Sequence, residues 1–244
     1  MEQILEIKGL NKSFGGVHAV ADVSFSVSKG EMMGLIGPNG SGKSTCVNLI
    51  SGVYTCDSGE VLFCGRNILK YSIPRRARLG IGRTFQSPKP FTGISVYNSV
   101  FTVALQHNSF KHAAIKTREV LEMTDLYGNR DMPSEKLSIE LRKWLDMARI
   151  LVTEPKLIML DEVMAGLNPI EMNESIELVR RINETGVTIV FIEHVMKAVV
   201  SLCKRIVVLN EGRVLCDGLP DDVMTNHDVI AAYLGEGYAD AATQ

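Results

Sequence analysis

The sequence predicts an α/β fold built on a parallel β-sheet, and three observations indicate it. Through the last hundred residues, short apolar runs alternate with amphipathic helical segments, the order that produces βαβ units. The apolar runs at residues 157–160 and 187–192 do not alternate polar with apolar side chains, as is typical of strands buried on both faces. Hydrophobic residues make up 45% and charged residues 22% of the 244 residues, which suits a globular domain with a sizeable core.

Short apolar runs separated by turn residues predict strands in the N-terminal third, over residues 4–7, 23–27, 32–36 and 61–63. A glycine-rich turn follows the third run, and residues 46–50 begin a helix after it. From residue 87 to 136 the pattern changes. Pro88, Pro90 and Gly93 indicate a loop, and helical spacing follows over residues 96–105 and 115–126. We interpret this stretch as a helical insertion bounded by Gln86 and Ser138.

The C-terminal part begins with an amphipathic helix over residues 138–152, in which Leu141, Leu145, Ala148 and Leu151 form one apolar stripe. Strands are then expected over residues 157–160, 188–192 and 206–209, and helices over residues 170–183 and 195–202. A strand, a helix and the next strand connect most simply by a crossover over one face of a sheet. We therefore expect these strands to be parallel, with helices on the faces of the sheet.

Charge and composition exclude several classes of function. The formal net charge of −2 gives no basic field for a nucleic acid. No apolar run approaches the roughly 18 residues of a membrane-spanning helix, and the acidic start, Met-Glu-Gln-Ile-Leu-Glu, is unlike a secretory signal. The five cysteines include no Cys-x-x-Cys pair and are expected to be reduced and mostly buried. These features predict a cytosolic protein, unless another protein holds it at a membrane.

A phosphate-binding loop is the strongest motif in the chain. The segment after the third predicted strand fits G-x-x-x-x-G-K-[ST] and leads into a helix, as this motif requires. Its residues are Gly37, Pro38, Asn39, Gly40, Ser41, Gly42, Lys43, Ser44 and Thr45. Backbone N–H groups of such a loop converge on phosphate oxygens, while the lysine reaches the β- and γ-phosphates and the serine hydroxyl ligates Mg²⁺. The motif predicts a nucleoside triphosphate site, in preference to an ordinary glycine-rich turn.

Two adjacent carboxylates, Asp161 and Glu162, follow the buried strand at residues 157–160. Ligands of open α/β sheets bind at the carboxyl ends of the strands, so this pair is expected near the phosphate loop. Asp161 suits a direct or indirect role at Mg²⁺, and Glu162 suits a base that polarises a water molecule in line with the γ-phosphate. Alone, the pair would suit a solvated strand end. Together with the phosphate loop, it favours nucleotide hydrolysis.

The chain resembles the ATP-binding subunits of ABC transporters over nearly its whole length. The phosphate loop, Gln86 in Arg83-Thr-Phe-Gln, the Leu-Asp-Glu strand end and Glu193-His194 occur in that family's order. Residues 161–169 and 228–236 are similar to importer subunits for branched-chain amino acids, although lipopolysaccharide-export and urea-uptake ATPases are similar at the C-terminus. The resemblance implies a RecA-like P-loop NTPase core (residues 1–86 and 151–244) with an N-terminal antiparallel β subdomain, and an inserted helical subdomain (residues 87–150).

Three further site residues follow from the resemblance alone. Gln86 would contact Mg²⁺ and the attacking water and would relay the state of a membrane partner. His194 would hold the γ-phosphate and orient Glu162, and Phe14 would stack on adenine. Without the resemblance, these residues would be interpreted as a strand-end amide, a structural histidine and a core phenylalanine.

The family's signature segment, Leu-Ser-Gly-Gly-Gln, is altered here to Leu137-Ser-Ile-Glu-Leu141. In the family this segment closes the nucleotide site of the opposite subunit in a head-to-tail dimer. Ser138 can still cap the helix and contact a γ-phosphate in trans. Glu140, unless its side chain turns away, brings a charge towards a polyanion. At about 4 Å that repulsion costs on the order of 1 kcal/mol in water and 4 kcal/mol at an effective dielectric of 20, part of which the following Arg142 and Lys143 would offset.

These departures lead to the hypothesis of an asymmetric dimer with a different ABC ATPase, although a homodimer stays open. Asn168, where many relatives have Asp, is shared with the branched-chain group. The resemblance further implies two transmembrane permease subunits docked near residues 87–97, a solute-binding protein acting indirectly, and a peripheral position on the cytoplasmic face. Two alternatives stay open: a soluble ABC-type ATPase without permeases, and a regulatory nucleotide-binding module that has lost turnover. Glu162 and His194 weigh against the second.

Overall fold

The computed structural model describes residues 2–84, 91–106 and 108–234. The strands in these residues are β1 (Gln3–Phe14), β2 (Val17–Ser28), β3 (Met32–Ile36), β4 (Ser58–Phe63), β5 (Arg66–Asn67), β6 (Ile81–Arg83), β7 (Leu157–Asp161), β8 (Thr188–Ile192), β9 (Arg205–Asn210) and β10 (Arg213–Gly218). The helices are α1 (Lys43–Ser51), α2 (Ile73–Arg78), α3 (Val96–Ala104), α4 (Phe110–Met123), α5 (Ile139–Leu151), α6 (Pro169–Glu184), α7 (Met196–Leu202), α8 (Pro220–Met224) and α9 (His227–Leu234). Two single turns of 3₁₀-helix, Tyr127–Asn129 and Ser134–Lys136, precede α5.

The central sheet has six strands in the order β10-β9-β3-β8-β7-β6. All neighbouring pairs are parallel except β9 and β10, which form an antiparallel hairpin at one edge. Every residue of β3, β7 and β8 is buried, which explains why these strands are continuous apolar runs. The predicted α/β fold with a parallel sheet is confirmed.

A second, antiparallel sheet has the order β2-β1-β4-β5 and forms the N-terminal β subdomain that the resemblance implied. Strands β1 and β2 are twelve residues long each, far longer than the apolar runs at residues 4–7 and 23–27. The added residues are mostly polar or exposed, so hydrophobicity alone marks only part of each strand.

The core lies on both faces of the central sheet because successive side chains of a strand point to opposite faces. On β3, Met32 and Ile36 pack with helices α3 to α7, whereas Met33 and Leu35 pack with α1 and the antiparallel sheet. The phosphate loop therefore leaves β3 at the level where the two halves of the core meet.

Helices α3, α4 and α5 pack on one another beside this sheet. Ser95 caps α3 by accepting a hydrogen bond from the Asn98 N–H, and Ser138 caps α5 in the same way. Helix α4 begins five residues before the predicted run at residue 115, directly after Ser109. Within the three described ranges, no helix has the length and apolar character needed to cross a membrane.

The five cysteines differ more in exposure than the sequence suggested. Cys46 and Cys203 are buried, and burial raises the pKa of each thiol to about 12. Cys56 and Cys216 are half-buried, and Cys64 is exposed. The expectation of mostly buried cysteines is therefore correct for two of the five.

Candidate nucleotide-binding site

The phosphate loop connects β3 to α1 through three glycines with positive φ: Gly37 at 149°, Gly40 at 81° and Gly42 at 101°. A Cβ atom on Gly37 would lie 2.1 Å from the Leu209 carbonyl oxygen, and one on Gly42 would lie 2.4 Å from the Ala19 carbonyl oxygen. Both positions thus require glycine for conformation and for space, whereas Gly40 faces open space. The glycines that the motif requires at positions 37 and 42 are therefore also required by the backbone conformation and by the neighbouring carbonyl groups.

Backbone hydrogen bonds fix the loop against its surroundings. The Ser41 N–H donates to the Pro38 carbonyl at 3.2 Å, and the Gly212 N–H donates to the Ser41 carbonyl at 3.0 Å. Helix α1 starts at Lys43 with Gly42 at its N-cap and without a side-chain cap. The first amides of the helix are consequently available to an anion, and the helix dipole favours a negative charge at this point.

Lys43 lies over the loop. Its ammonium donates to the carbonyl oxygens of Gly37 at 2.7 Å and Pro38 at 2.9 Å. Burial lowers the pKa of the Lys43 ammonium, and the negative charges of Glu162 and Asp161 oppose that shift. The lysine and the acid pair, which are more than a hundred residues apart in sequence, therefore lie within electrostatic reach of one another at the same edge of the sheet.

Asp161 ends strand β7 and is 2% exposed. Its Oδ2 accepts a hydrogen bond from the Arg83 guanidinium at 3.0 Å, and its own N–H donates to the Thr84 hydroxyl at 3.0 Å. Arg83 also donates to the Asn48 side chain of α1 at 2.5 Å. Arg83 thus links the carboxylate to the helix that carries the phosphate loop, a role that the sequence did not indicate.

The Asp161 and Ser44 side chains fit a magnesium ion. Mg²⁺ prefers oxygen donors and usually takes one or two protein ligands, together with water and substrate phosphates. Ser44 is exposed on the first turn of α1, and its hydroxyl is such a donor. In the described parts of the chain no cluster of three or more His, Cys, Asp or Glu side chains could hold a metal by itself. This donor set suits an ion that reaches the site together with a nucleotide.

Glu162 follows the end of β7 and is partly exposed. Its φ is +52°, a left-handed conformation that is uncommon for residues other than glycine. The Glu162 N–H donates to the Ile192 carbonyl at 2.9 Å, which places Glu162 beside the end of the neighbouring strand β8. Backbone strain of this kind tends to occur at functional sites, where the surrounding structure maintains it.

Glu193 and His194 follow the end of β8 and have opposite environments. His194 is exposed, whereas Glu193 is 1% exposed and turned into the protein. The structure therefore leaves His194 accessible at the sheet edge where Glu162 lies. Glu193, which entered the sequence analysis only as part of the Glu-His pair, has close contacts of its own that are described below.

Phe14 lies at the end of β1, before the Gly15-Gly16 turn, and is 43% exposed. It is not a core residue, so the competing interpretation of a core phenylalanine is wrong. Its ring makes an edge contact with Tyr54 at 5.2 Å between centroids, and the Lys12 ammonium lies 5.3 Å from its centre. An exposed ring of this kind can stack on a planar ligand.

Gln86 lies outside the described residues, as do residues 87–90 of the predicted docking loop. The other residues of the phosphate loop differ in exposure. Asn39, Gly40 and Ser44 are exposed, Pro38 and Thr45 are partly buried, and Ser41 is buried.

The altered signature segment begins helix α5. The Ser138 hydroxyl accepts a hydrogen bond from the Leu141 N–H at 3.2 Å, and Ile139 is 70% exposed. Glu140 is only partly exposed, and its Oε1 is covered and has no hydrogen-bond partner among the described residues. Burial raises the pKa of the Glu140 carboxyl, and the charges of Glu171 and Glu174 on α6 raise it further. The Glu140 carboxyl is thus partly covered and within electrostatic reach of α6, while Ile139 is the exposed large side chain of the segment.

The two cations that follow Glu140 have other partners. Arg142 donates to the Glu135 carbonyl at 2.5 Å, and Lys143 donates to the Ala165 carbonyl at 2.5 Å. The expectation that these residues offset the charge of Glu140 is therefore not supported by their contacts.

Comparisons with known proteins identify the family to which the chain is similar. Residues 20–165 match the family model described as ABC transporter, and residues 213–239 match the model described as branched-chain amino acid ATP-binding cassette transporter. The high-affinity branched-chain amino acid transport ATP-binding protein LivG of Salmonella typhimurium is 34% identical, over 96% of this chain and 99% of that protein. The corresponding protein BraF of Pseudomonas aeruginosa is 35% identical, over 96% and 98%.

Solved structures give the same result. MJ1267, an ATP-binding cassette of an ABC transporter, superposes with a TM-score of 0.87 at 29% identity, covering 96% of this chain and all of that one. The subunit cbiO1 from Clostridium perfringens, part of the ABC transporter complex cbiONQ, superposes with a TM-score of 0.85 at 29% identity over the full length of both chains. This chain belongs to the ATP-binding subunits of ABC transporters and is an ATPase of that family.

Proposed function

We propose that this chain is the ATP-hydrolysing subunit of an importer for branched-chain amino acids or a similar small polar solute. The observation that carries the choice of solute is the match of residues 213–239 to the branched-chain model, at the end of a chain that resembles LivG and BraF over 96% of its length. In this assignment residues 1–86 and 151–244 form the nucleotide-binding core, and residues 87–150 form the helical subdomain.

The phosphate loop binds the nucleotide in this proposal. Its glycine backbone and the first amides of α1 surround the phosphates, and Lys43 moves from the Gly37 and Pro38 carbonyls to the β- and γ-phosphates. Ser44, Asp161 and Gln86 would hold Mg²⁺, which neutralises charge on the phosphate oxygens. Asp161 keeps its orientation through Arg83 and the Thr84 hydroxyl.

Glu162 is the proposed base. Its carboxylate lies at the sheet edge within the electrostatic reach of Lys43, as hydrolysis at a γ-phosphate requires. His194 extends from the next strand end, where it would hold the γ-phosphate and orient Glu162. Phe14 would stack on adenine from the β subdomain.

The altered signature favours a heterodimer. The residues for binding and hydrolysis are present in this chain, but its own signature presents the exposed Ile139 where the family has glycine. A branched side chain at this position hinders the close backbone approach that glycine permits. A second ABC ATPase would therefore supply the signature for the Lys43 site. The complex would also contain two permease subunits docked near residues 87–97, with a solute-binding protein outside, and would hold this chain at the cytoplasmic face of the membrane.

A pull-down tests the proposal. The Glu162→Gln variant, tagged and extracted from native membranes with Mg²⁺ and ATP, is expected to retain two multispan permeases and a second ABC ATPase, identified by mass spectrometry. Glu184→Gln, at an exposed position at the end of α6, is the matched control and should release these partners more readily.

Two outcomes contradict the proposal. Recovery of soluble proteins alone would favour an ABC ATPase that serves assembly or repair. Recovery of permeases linked to lipopolysaccharide or urea would retain the transporter and change the solute.

A further inference from the structure

The turn that follows Glu162 is held by charged side chains from two other elements. Glu193, after β8, accepts a hydrogen bond from the Met164 N–H at 2.7 Å. Lys143, on α5, donates to the Ala165 carbonyl at 2.5 Å. Two backbone polar groups of one short turn are therefore bound by side chains of two other elements, within three residues of Glu162.

Glu193 is among the most buried charged residues described in the chain, with 1% of its surface exposed. Its Oε1 makes the bond to Met164, whereas its Oε2 is covered and has no hydrogen-bond partner within the described residues. Burial raises the pKa of this carboxyl, although the Met164 bond and His194 oppose the shift. Such a position is costly for a carboxyl group, and stability alone would favour an apolar side chain.

Lys143 is 9% exposed and extends from the middle of a helix into the same region. Burial lowers the pKa of its ammonium, and the charges of Glu193 and Glu162 are the main opposing effects. Lys143 thus lies in the electrostatic field of both glutamates while its hydrogen bond goes to the backbone of the turn.

The backbone of Glu162 needs such support. Its φ of +52° is unfavourable for a residue with a Cβ atom. The Glu162 N–H is held by the Ile192 carbonyl at 2.9 Å, but the hydrogen bonds within the turn are long: the Ala165 N–H donates to the Glu162 carbonyl at 3.3 Å and the Leu167 N–H donates to the Met164 carbonyl at 3.3 Å. The shorter bonds from Glu193 and Lys143 restrict where the next residues lie, and so restrict the conformations open to Glu162.

We propose that Glu193 and Lys143 are positioning residues that hold the backbone of Glu162, and that Lys143 makes this position depend on helix α5. Lys143 lies five residues after Ser138 on the helix that the signature segment begins. A shift of α5 is transmitted through the Lys143 bond to Ala165 and then to Glu162. This inference rests on the proposed role of Glu162 as the base.

The test measures ATP hydrolysis by the complex that contains the partner ATPase, and compares side chains that keep each hydrogen bond with side chains that lose it. Glu193→Met and Lys143→Met remove the acceptor and the donor at similar volume. Each is expected to lower kcat between about tenfold and about a hundredfold while the KM for ATP changes less than about twofold, because a small displacement of a base affects the chemical step and not the phosphate loop. Glu193→Gln and Lys143→Arg keep the bonding atoms and should retain most of kcat.

Matched controls separate positioning from loss of structure. Glu119→Gln and Lys111→Met change exposed residues of α4 and should leave kcat unchanged. In a Glu162→Ala background, Lys143→Met should cause no further loss of the residual single-turnover hydrolysis, because its effect passes through Glu162. If Glu193→Met does not fold, Glu193→Asp keeps the charge, moves the acceptor by one methylene and should show the same fall in kcat.

Unchanged kcat in both Met variants would overturn the inference, as would equal losses in Lys143→Met and Lys143→Arg. A rise in KM that accounts for the whole loss would also overturn it, because that result indicates a general disturbance of the nucleotide site. If Glu162→Gln itself hydrolyses ATP at the normal rate, then the proposed base is wrong, and this result is distinguishable from the others.

Discussion

The phosphate loop and the signature segment contrast within one chain. Around the loop, Gly37 and Gly42 have backbone conformations and contacts that only glycine tolerates, and Lys43 lies within electrostatic reach of both carboxylates of the acid pair. At the start of α5, Ile139 is exposed, whereas Glu140 is partly covered and lies within electrostatic reach of two acidic side chains of α6. This contrast is the basis of our proposal that the chain has kept the residues for binding and hydrolysing ATP and has changed those that would complete another subunit's site.

The largest expected effect concerns Glu162, beside the phosphate loop. Glu162→Gln should lower kcat by about a hundredfold to ten-thousandfold, because the amide cannot accept a proton from water. Binding of ATP should be preserved, since the phosphate loop does not use this side chain. Steady-state hydrolysis and equilibrium nucleotide binding measure the two quantities. Weaker binding in parallel with slower hydrolysis would argue against the role of base.

Two glycine substitutions test whether the loop is as constrained as its contacts indicate. Gly42→Ala adds a Cβ atom 2.4 Å from the Ala19 carbonyl at a φ of 101°, so the loop must move. Gly40→Ala has an unfavourable φ of 81° but faces open space, which makes it the matched control. Backbone strain alone is worth about 1–3 kcal/mol, and Gly42→Ala should weaken ATP binding by more than Gly40→Ala. Equal effects would show that strain, and not the contact with Ala19, limits this position.

Substituting the family's residues into the signature segment tests the proposed effect of its alteration on dimer formation. Ile139→Gly, Glu140→Gly and Leu141→Gln together, in the Glu162→Gln background, should allow a homodimer in Mg²⁺ and ATP. The chain with its own signature should stay monomeric without its partner. Removing the exposed, branched side chain of Ile139 should strengthen self-association at least about tenfold, or about 1.4 kcal/mol. Light scattering over a concentration series measures the effect. A homodimer of equal affinity with the natural signature would remove the reason for proposing a second ATPase.

The sequence predicts the centre of the fold better than its edges. Strands β3 and β8 occupy the predicted residues, because apolar runs of this kind fit only the inside of a sheet. Strand β6 has three residues, which is too short for a pattern, and β10 is an edge strand with mixed polarity. Neither was predicted. Short and polar strands form through their neighbours, and their own side chains give little indication of them.

In the candidate site, too, some parts could be predicted from the sequence and others could not. The glycines, Lys43 and the acid pair are local motifs, and local motifs can be identified in a sequence. The hydrogen bonds that Arg83 donates to Asp161, Met164 donates to Glu193 and Lys143 donates to Ala165 join residues 78, 29 and 22 positions apart. These contacts depend on which strand ends and helices become neighbours. Lys143 lies off the apolar stripe of α5 formed by Leu141, Leu145, Ala148 and Leu151, so the helical pattern gives no indication of its contact.

The smallest expected effect concerns Glu140. Its folded-state pKa is raised, chiefly by burial and then by Glu171 and Glu174, so the folded chain holds this proton more tightly than the unfolded chain does. The ionised carboxyl therefore opposes folding as the pH rises above the unfolded pKa of about 4.3, and this effect is complete above the folded pKa. Glu140→Gln should raise Tm at neutral pH, and the gain should disappear below about pH 4.

The matched control for this prediction is Glu135→Gln, which changes a nearby carboxyl group without a buried oxygen atom of this kind. It should give no gain in Tm at neutral pH. A gain in Glu140→Gln that persists at acid pH would point to a packing effect, since a protonated glutamic acid and a glutamine then carry the same charge. A loss at neutral pH would mean that the carboxylate has a stabilising partner, and that the signature segment of this chain is adapted to a charge and does not merely tolerate one.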